Sequence, residues 1–225
     1  MAQTTSALWK TLLTLPNTQR EFGFQINGVW YGPEAEVEHS VEHMLYEEFS
    51  FGNATIASLN LSLFAEEIPR SATIKRYIRL KNGVQTSEWL PKGIFFTNRR
   101  SVDDGYWTIE AFDAMRKADV VWQPDPSLSF PMAMPAAVAE FARIMGVEVD
   151  SRTSLNPSYT IDYPANSYTI RNILQYIAAA HGGNWIISDE GKLWLVPLKS
   201  IPDEVNYLVT ENGNPITFGG VRILV

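Results

Sequence analysis

The dipeptides Asn27-Gly28, Asn82-Gly83, Asp104-Gly105 and Asn212-Gly213 constrain this chain more than any other feature. Two-residue hairpin turns need positive φ at their centre, which Asn, Asp and Gly adopt at little cost. The residues around these turns alternate as half-buried strands do. Phe22, Phe24 and Ile26 are interleaved with Gly23 and Gln25 before the first turn, and Val29-Trp30-Tyr31 returns after it. Leu59, Leu61 and Leu63 fall on one face of residues 56–64, and the same reading gives strands over 73–80, 88–97 and 106–112. Many short strands joined by tight turns predict a sandwich or a barrel, and a barrel leaves no strand edge open.

Near residue 120 the pattern changes. Pro124, Pro126, Pro131 and Pro135 hold the chain extended. A helix follows over 135–145, with Pro at its first turn, Val138, Phe141, Ala142 and Met145 on its apolar face and Gly146 as its stop. A second helix starts at the cap Thr169, buries Ile170, Ile173, Leu174 and Ile177, and ends at Gly182-Gly183. It lies between a strand at 159–163 and a hairpin of strands 184–188 and 192–198. A short N-terminal helix over 6–15, with Leu8, Leu12 and Leu15 at helical spacing, stops at Pro16-Asn17. The fold class expected is α+β, mainly β: an arm at 1–18, a barrel-like β domain at 19–119, a small mixed domain at 120–205, and from 206 to 225 the first strands of a second β domain that the chain does not finish.

Charge and composition narrow the function classes. Eighteen Lys and Arg against 25 Asp and Glu give a net charge of −7, which opposes tight binding to a phosphate backbone. Without cysteine there is no disulfide, thiolate metal site or Cys nucleophile. No apolar run approaches the ~20 residues that span a bilayer, and the first 15 residues lack the features of a secretion signal.

The sharpest catalytic pattern is His39-Ser40-Val41-Glu42-His43, the H-x-x-E-H of one class of zinc peptidase. On a helix, His39 and His43 would share a face and could hold one zinc ion while Glu42 served as general base. Residues 37–45 suit a helix through Val37, Val41, Met44 and Leu45, and suit a strand through the alternation of Val37, His39, Val41, His43 and Leu45. On a strand the two imidazoles would lie about 13 Å apart, too far for one metal. No third ligand stands out, because His181 reads as a helix C-terminal cap. The carboxylate pairs Glu47-Glu48, Glu66-Glu67 and Asp103-Asp104 read as alternating strand faces and turn chemistry. No catalytic residue and no cofactor is therefore expected, and His39 and His43 remain the sole metal candidates. Seven tryptophans could stack on sugars, but core and interface packing is the favoured reading of them.

Five segments in order carry a resemblance: Leu8-Trp9-Lys10 leading to Pro16-Asn17-Thr18; Tyr31-Gly32-Pro33-Glu34-Ala35-Glu36-Val37; Gly52-Asn53-Ala54 before the strand at 59–64; Trp107-Thr108-Ile109-Glu110-Ala111-Phe112-Asp113-Ala114-Met115; and Thr169-Ile170-Arg171-Asn172-Ile173-Leu174 running to Ala180-His181-Gly182-Gly183-Asn184-Trp185. Over nearly its whole length the chain resembles the prophage tail proteins that form the baseplate or tail-tip hub, at the distal end of the tail tube. The resemblance implies two barrel-like domains flanking a mixed one. It also implies three copies in a ring of pseudo-sixfold symmetry, contacts with other tail proteins, and DNA that only passes through a channel. The place implied is the virion, after synthesis in the bacterial cytoplasm. The competing expectations are a tail-associated zinc peptidase or wall hydrolase, and a carbohydrate-binding tail module.

Overall fold

A computed structural model describes residues 4–43, 51–198, 217–218 and 221–222. The fold is α+β and mainly β, as the alternation predicts. One antiparallel eight-stranded sheet holds β1 (Gln19–Ile26), β2 (Val29–Tyr31), β3 (Glu36–His43), β4 (Ala57–Phe64), β5 (Thr73–Asn82), β6 (Gln85–Thr86), β7 (Leu90–Asp103) and β8 (Tyr106–Phe112). Its order is β2-β1-β5-β7-β8-β4-β3, with β6 paired to β5. Two of the turn dipeptides sit where the sequence puts them: Asn27 and Gly28 have φ of 47° and 92°, and Asp104 and Gly105 have 44° and 76°. The turn expected at Asn82-Gly83 falls one residue later, on Gly83-Val84, because Asn82 still pairs with Gln85, and Asn212-Gly213 lies outside the described residues.

The sheet rolls but does not close into a barrel. β2 and β3 are the two ends of the strand path. β2, only three residues long, takes the free edge of β1 at Phe24–Ile26, and no ladder among the described residues joins β1 to β3. Side chains bridge the seam instead: the His39 ring stands edge-on to Phe22 and Phe24 at 4.3 and 5.3 Å, and Arg76 Nη2 lies 3.2 Å from His39 Nε2. Inside the roll, Phe24, Leu59, Leu61, Leu63, Ile74, Phe95 and Ile109 form one core.

Among the described residues, four helical elements and three two-stranded pairs complete the fold. α1 (Ala7–Thr14) is capped by Ser6, whose Oγ accepts the Trp9 N–H at 3.0 Å. Its buried face is Trp9 and Leu12, packed on Leu80 and Leu90, whereas Leu8 and Leu15 are exposed. The sheet lies on the Trp9 side, so the large indole displaces two of the three leucines from the contact. After β8 comes a 3-10 helix (Ala114–Ala118), then β9 (Met132–Ala133), α2 (Met134–Met145), β10 (Thr160–Ile161), α3 (Ile170–Ala180), β11 (Gly183–Ile187) and β12 (Leu193–Pro197). Gly146 is left-handed and ends α2, and Thr169 caps α3 by accepting the Asn172 N–H at 3.1 Å. The strand expected at 159–163 shrinks to the two residues of β10, paired to β9.

A second core gathers Trp122, Val138, Phe141, Met145, Ile173, Leu174, Ile177 and Trp185. It also takes Ala54 and Ile56, from before β4. That segment runs along β11: Trp185 N–H donates to Asn53 O at 2.8 Å and Thr55 N–H to Trp185 O at 3.1 Å. The second β domain expected at 206–225 lies outside the described residues, apart from β13 (Thr217–Phe218) and β14 (Val221–Arg222), which pair with each other.

Candidate functional site

His39 and His43 lie on β3, not on a helix. At ~3.3 Å per residue the two rings are about 13 Å apart, which one metal ion cannot bridge. Strand geometry therefore takes apart the arrangement that the H-x-x-E-H pattern needs, and His39 fills the seam of the roll. Among the described residues no group of three or more His, Asp or Glu side chains converges as a metal site. His181 is a cap: its Nδ1 lies 2.8 Å from Ile177 O, and its Nε2 accepts the Asn156 N–H at 2.9 Å, so both ring nitrogens are used. Glu66 and Glu67 are exposed, Asp103-Asp104 enters the β7–β8 turn, and Glu47-Glu48 lies outside the described residues.

The tryptophans divide by location. Trp9, Trp107, Trp122 and Trp185 are buried, and Trp107 and Trp185 donate their indole N–H to Ala65 O and Leu174 O at 2.9 and 2.8 Å. Trp194 is half-buried with the Arg152 guanidinium 3.7 Å over its ring. Trp30 and Trp89 meet on the outer face of the sheet at 5.0 Å with their planes 67° apart, beside Tyr77 and under the Arg79 guanidinium. Rings so steeply inclined form no flat platform for a sugar. Gly23 makes room for them, since a Cβ there would stand 2.5 Å from Trp30.

Asp113 is the carboxylate that sequence reasoning passed over. Only 5% exposed, it accepts N–H groups from Ala57 at 3.1 Å and Met115 at 3.0 Å. It thereby caps the 3-10 helix and pins the start of β4. Burial pushes its pKa up to about 7, against the pull of those two backbone donors. It borders a cavity of about 220 Å³ between the sheet and the β11–β12 hairpin, with Arg76, His43 and the Lys92–Asp189 ion pair (2.6 Å) also at its wall. Its oxygens are occupied by structural bonds, so the arrangement serves as a joint. The signal in the sequence is an acidic residue directly after a strand, the usual place for a cap.

Two kinds of surface have the character of contacts. Tyr159, Tyr163, Tyr168 and Tyr176 are exposed around α3, Tyr163 to 81%. A groove of about 780 Å³ runs beside the second half of β7, lined by Arg70, Arg99, Arg100, Trp107, Thr108 and Glu110 among others. The charge pattern that announces it is visible in the sequence. Residues 21–69 contain nine glutamates and no Lys or Arg, whereas residues 70–100 contain eight Lys and Arg and one acid, Glu88. Among the described residues no helix is long and apolar enough to cross a membrane.

No protein-family model matches the chain, and no curated protein does. Solved structures do. The tail protein of Neisseria meningitidis MC58 aligns with a TM-score of 0.47 at 15% identity, over 78% of this chain and 51% of that one. The 43 kDa tail protein of prophage MuSo2 from Shewanella oneidensis aligns with a TM-score of 0.52 at 14% identity, over 84% of this chain. This chain spans 59% of the length of the MuSo2 protein. At that identity the likeness is one of fold, and over most of its length this chain shares its fold with a prophage tail protein.

Proposed function

We propose that the chain is a structural protein of a phage tail, without enzymatic activity, that forms the hub at the distal end of the tail tube and links the tube to the baseplate or tip. The observation that carries this reading is the fold shared with the MuSo2 tail protein over 84% of the chain. Two features support a structural role. The residues that could have made a catalytic set are spent on structure: His39 in the seam, His181 and Asp113 as caps. The surface also offers aromatic and charged patches suited to protein contacts.

In this reading copies of the chain form a trimeric ring that binds tube and tip proteins, in the virion, after synthesis in the host cytoplasm. The net charge of −7 keeps DNA from adhering as it passes through the ring by like-charge repulsion. The test is to purify tails, identify their proteins by mass spectrometry and label this one with antibody under the electron microscope. Label at the distal end of the tube is expected. Absence from purified tails, or label elsewhere along them, would overturn the reading.

A further inference from the structure

Between the 3-10 helix and β9 the chain passes through a short stretch, Val121 to Gln123, that has a strand partner on one side only among the described residues. Val121 bridges antiparallel to Thr169: Trp122 N–H donates to Tyr168 O and Ile170 N–H to Val120 O, both at 2.9 Å. Backbone groups of an antiparallel strand alternate sides, so the N–H and C=O of Val121 and the N–H of Gln123 point away from Thr169. None of the three has a hydrogen-bond partner among the described residues. Pro124 disfavours a helical turn at Gln123 and so keeps this edge extended.

A groove of about 290 Å³ lies along this stretch, with Val120, Val121 and Trp122 in its lining and Ile144 of α2 beside them. Val120 and Val121 are each 47% exposed and Ile144 37%, so its wall is both apolar and open. Trp122 has no exposed surface, yet its indole N–H has no acceptor among the described residues. A buried donor without an acceptor is rare, and here it lines the same groove as an unpaired strand edge. An occupant that supplies carbonyl acceptors, and also an N–H for the Val121 C=O at strand spacing, is another extended main chain. Charge differs between the two ends of the stretch. At its start Arg116 and Arg171 share Asp119, one cation in excess, and at its end Asp125 and Glu140 face Arg143, one anion in excess. Glu140 and Arg143 satisfy each other through two bonds of 2.7 Å, which leaves the excess on Asp125.

We propose that the groove between Val120–Gln123 and α2 takes an extended segment of another protein, added as a strand to the edge of Val121, with an aliphatic side chain against Val121 and Ile144 and a Lys or Arg at the Asp125 end. The test is nuclear magnetic resonance and amide hydrogen exchange on the full chain, alone and with short synthetic peptides. These alternate Val with Thr and carry Lys at one end and Glu at the other, in both orders. One order should bind saturably, slow exchange at Val121 and Gln123, and shift the indole N–H resonance of Trp122. Methylating every second peptide nitrogen should weaken binding by about tenfold in one register and leave it unchanged in the other, since only alternate N–H groups face the edge. Asp125→Lys should weaken binding by about fivefold, and Glu in place of the peptide's Lys should restore it, which also shows the variant folded. The proposal would be overturned by the absence of saturable binding in both orders, by equal binding of both methylated registers, or by indifference to the charge swap. Slow exchange at Val121 and Gln123 in the dilute chain alone would overturn it by showing the edge covered by the chain itself, and slowing as the chain alone is concentrated would do so by making a second copy the occupant. The contact does not depend on a place in the virion: a chain missing from tails that binds these peptides keeps the contact and loses the tail reading, and one found in tails that binds none does the reverse.

Discussion

Asp113 shows how much one buried side chain can set. Its carboxyl is held at about 7 against 3.8 for an unburied aspartate, because desolvation outweighs two backbone hydrogen bonds. The folded state thus holds this proton more tightly than the unfolded state. The stabilisation is complete below about 3.8 and is lost as the pH rises through about 7. The melting temperature should therefore fall between those values, and Asp113→Asn, which cannot titrate, should flatten that slope in calorimetry across the range. An unchanged slope would mean that another group carries it. Asp150 behaves in the opposite sense: the hydrogen bonds from Arg152 hold it at about 2, so its contribution is present above the ordinary carboxylate range and lost as the pH falls through about 2. The histidines of β3 give a third outcome. Calorimetric titration with zinc should show no stoichiometric binding that disappears in His39→Ala or His43→Ala, because no single ion reaches both rings.

Among the elements, the helices were the most legible in the sequence. α3 matches its predicted stripe and cap: Ile170, Ile173, Leu174 and Ile177 are buried, and Thr169 holds the Asn172 N–H. Thr169→Ala should cost about 1 kcal/mol in urea unfolding, the usual loss of an N-cap, whereas Thr169→Ser should cost much less. α1 was legible in extent and not in orientation. Periodicity selected the leucines, but which side of a short helix is buried depends on where the sheet stands, and Leu80 and Leu90 lie under Trp9 and Leu12. Residues 36–43 were ambiguous for a related reason, since their apolar positions satisfy both periods. Pairing with β4 decides for the strand, because it satisfies backbone groups that only a neighbour distant in sequence can reach.

For the whole molecule, the connection that matters is the one between the two cores. Residues 53–55 belong by sequence to the strand-rich part, yet they pair with β11 and carry Ala54 and Ile56 into the second core. Trp185 anchors this junction, fully buried, with its indole N–H on Leu174 O and its backbone on Asn53 and Thr55. Trp185→Ala should cost about 3–5 kcal/mol. Hydrogen exchange should lose protection together at Leu61 and Ile109 in the sheet and at Ile173 and Ile177 in α3. Loss confined to α3 would show that the two cores unfold independently.

The sequence alone determined the mainly β class, the hairpins and the two C-terminal helices, because turn φ angles, caps and apolar periods are local properties. It also excluded thiol chemistry and carried, unread, the division of charge between residues 21–69 and 70–100. Only the tertiary structure decided that the sheet stops short of a barrel, that His39 fills a seam, and that Asp113 is buried. Those outcomes depend on strands far apart in sequence. Likewise, Val121 keeps one edge open because its bridge partner, Thr169, stands on the other side, and no local pattern encodes the absence of a neighbour.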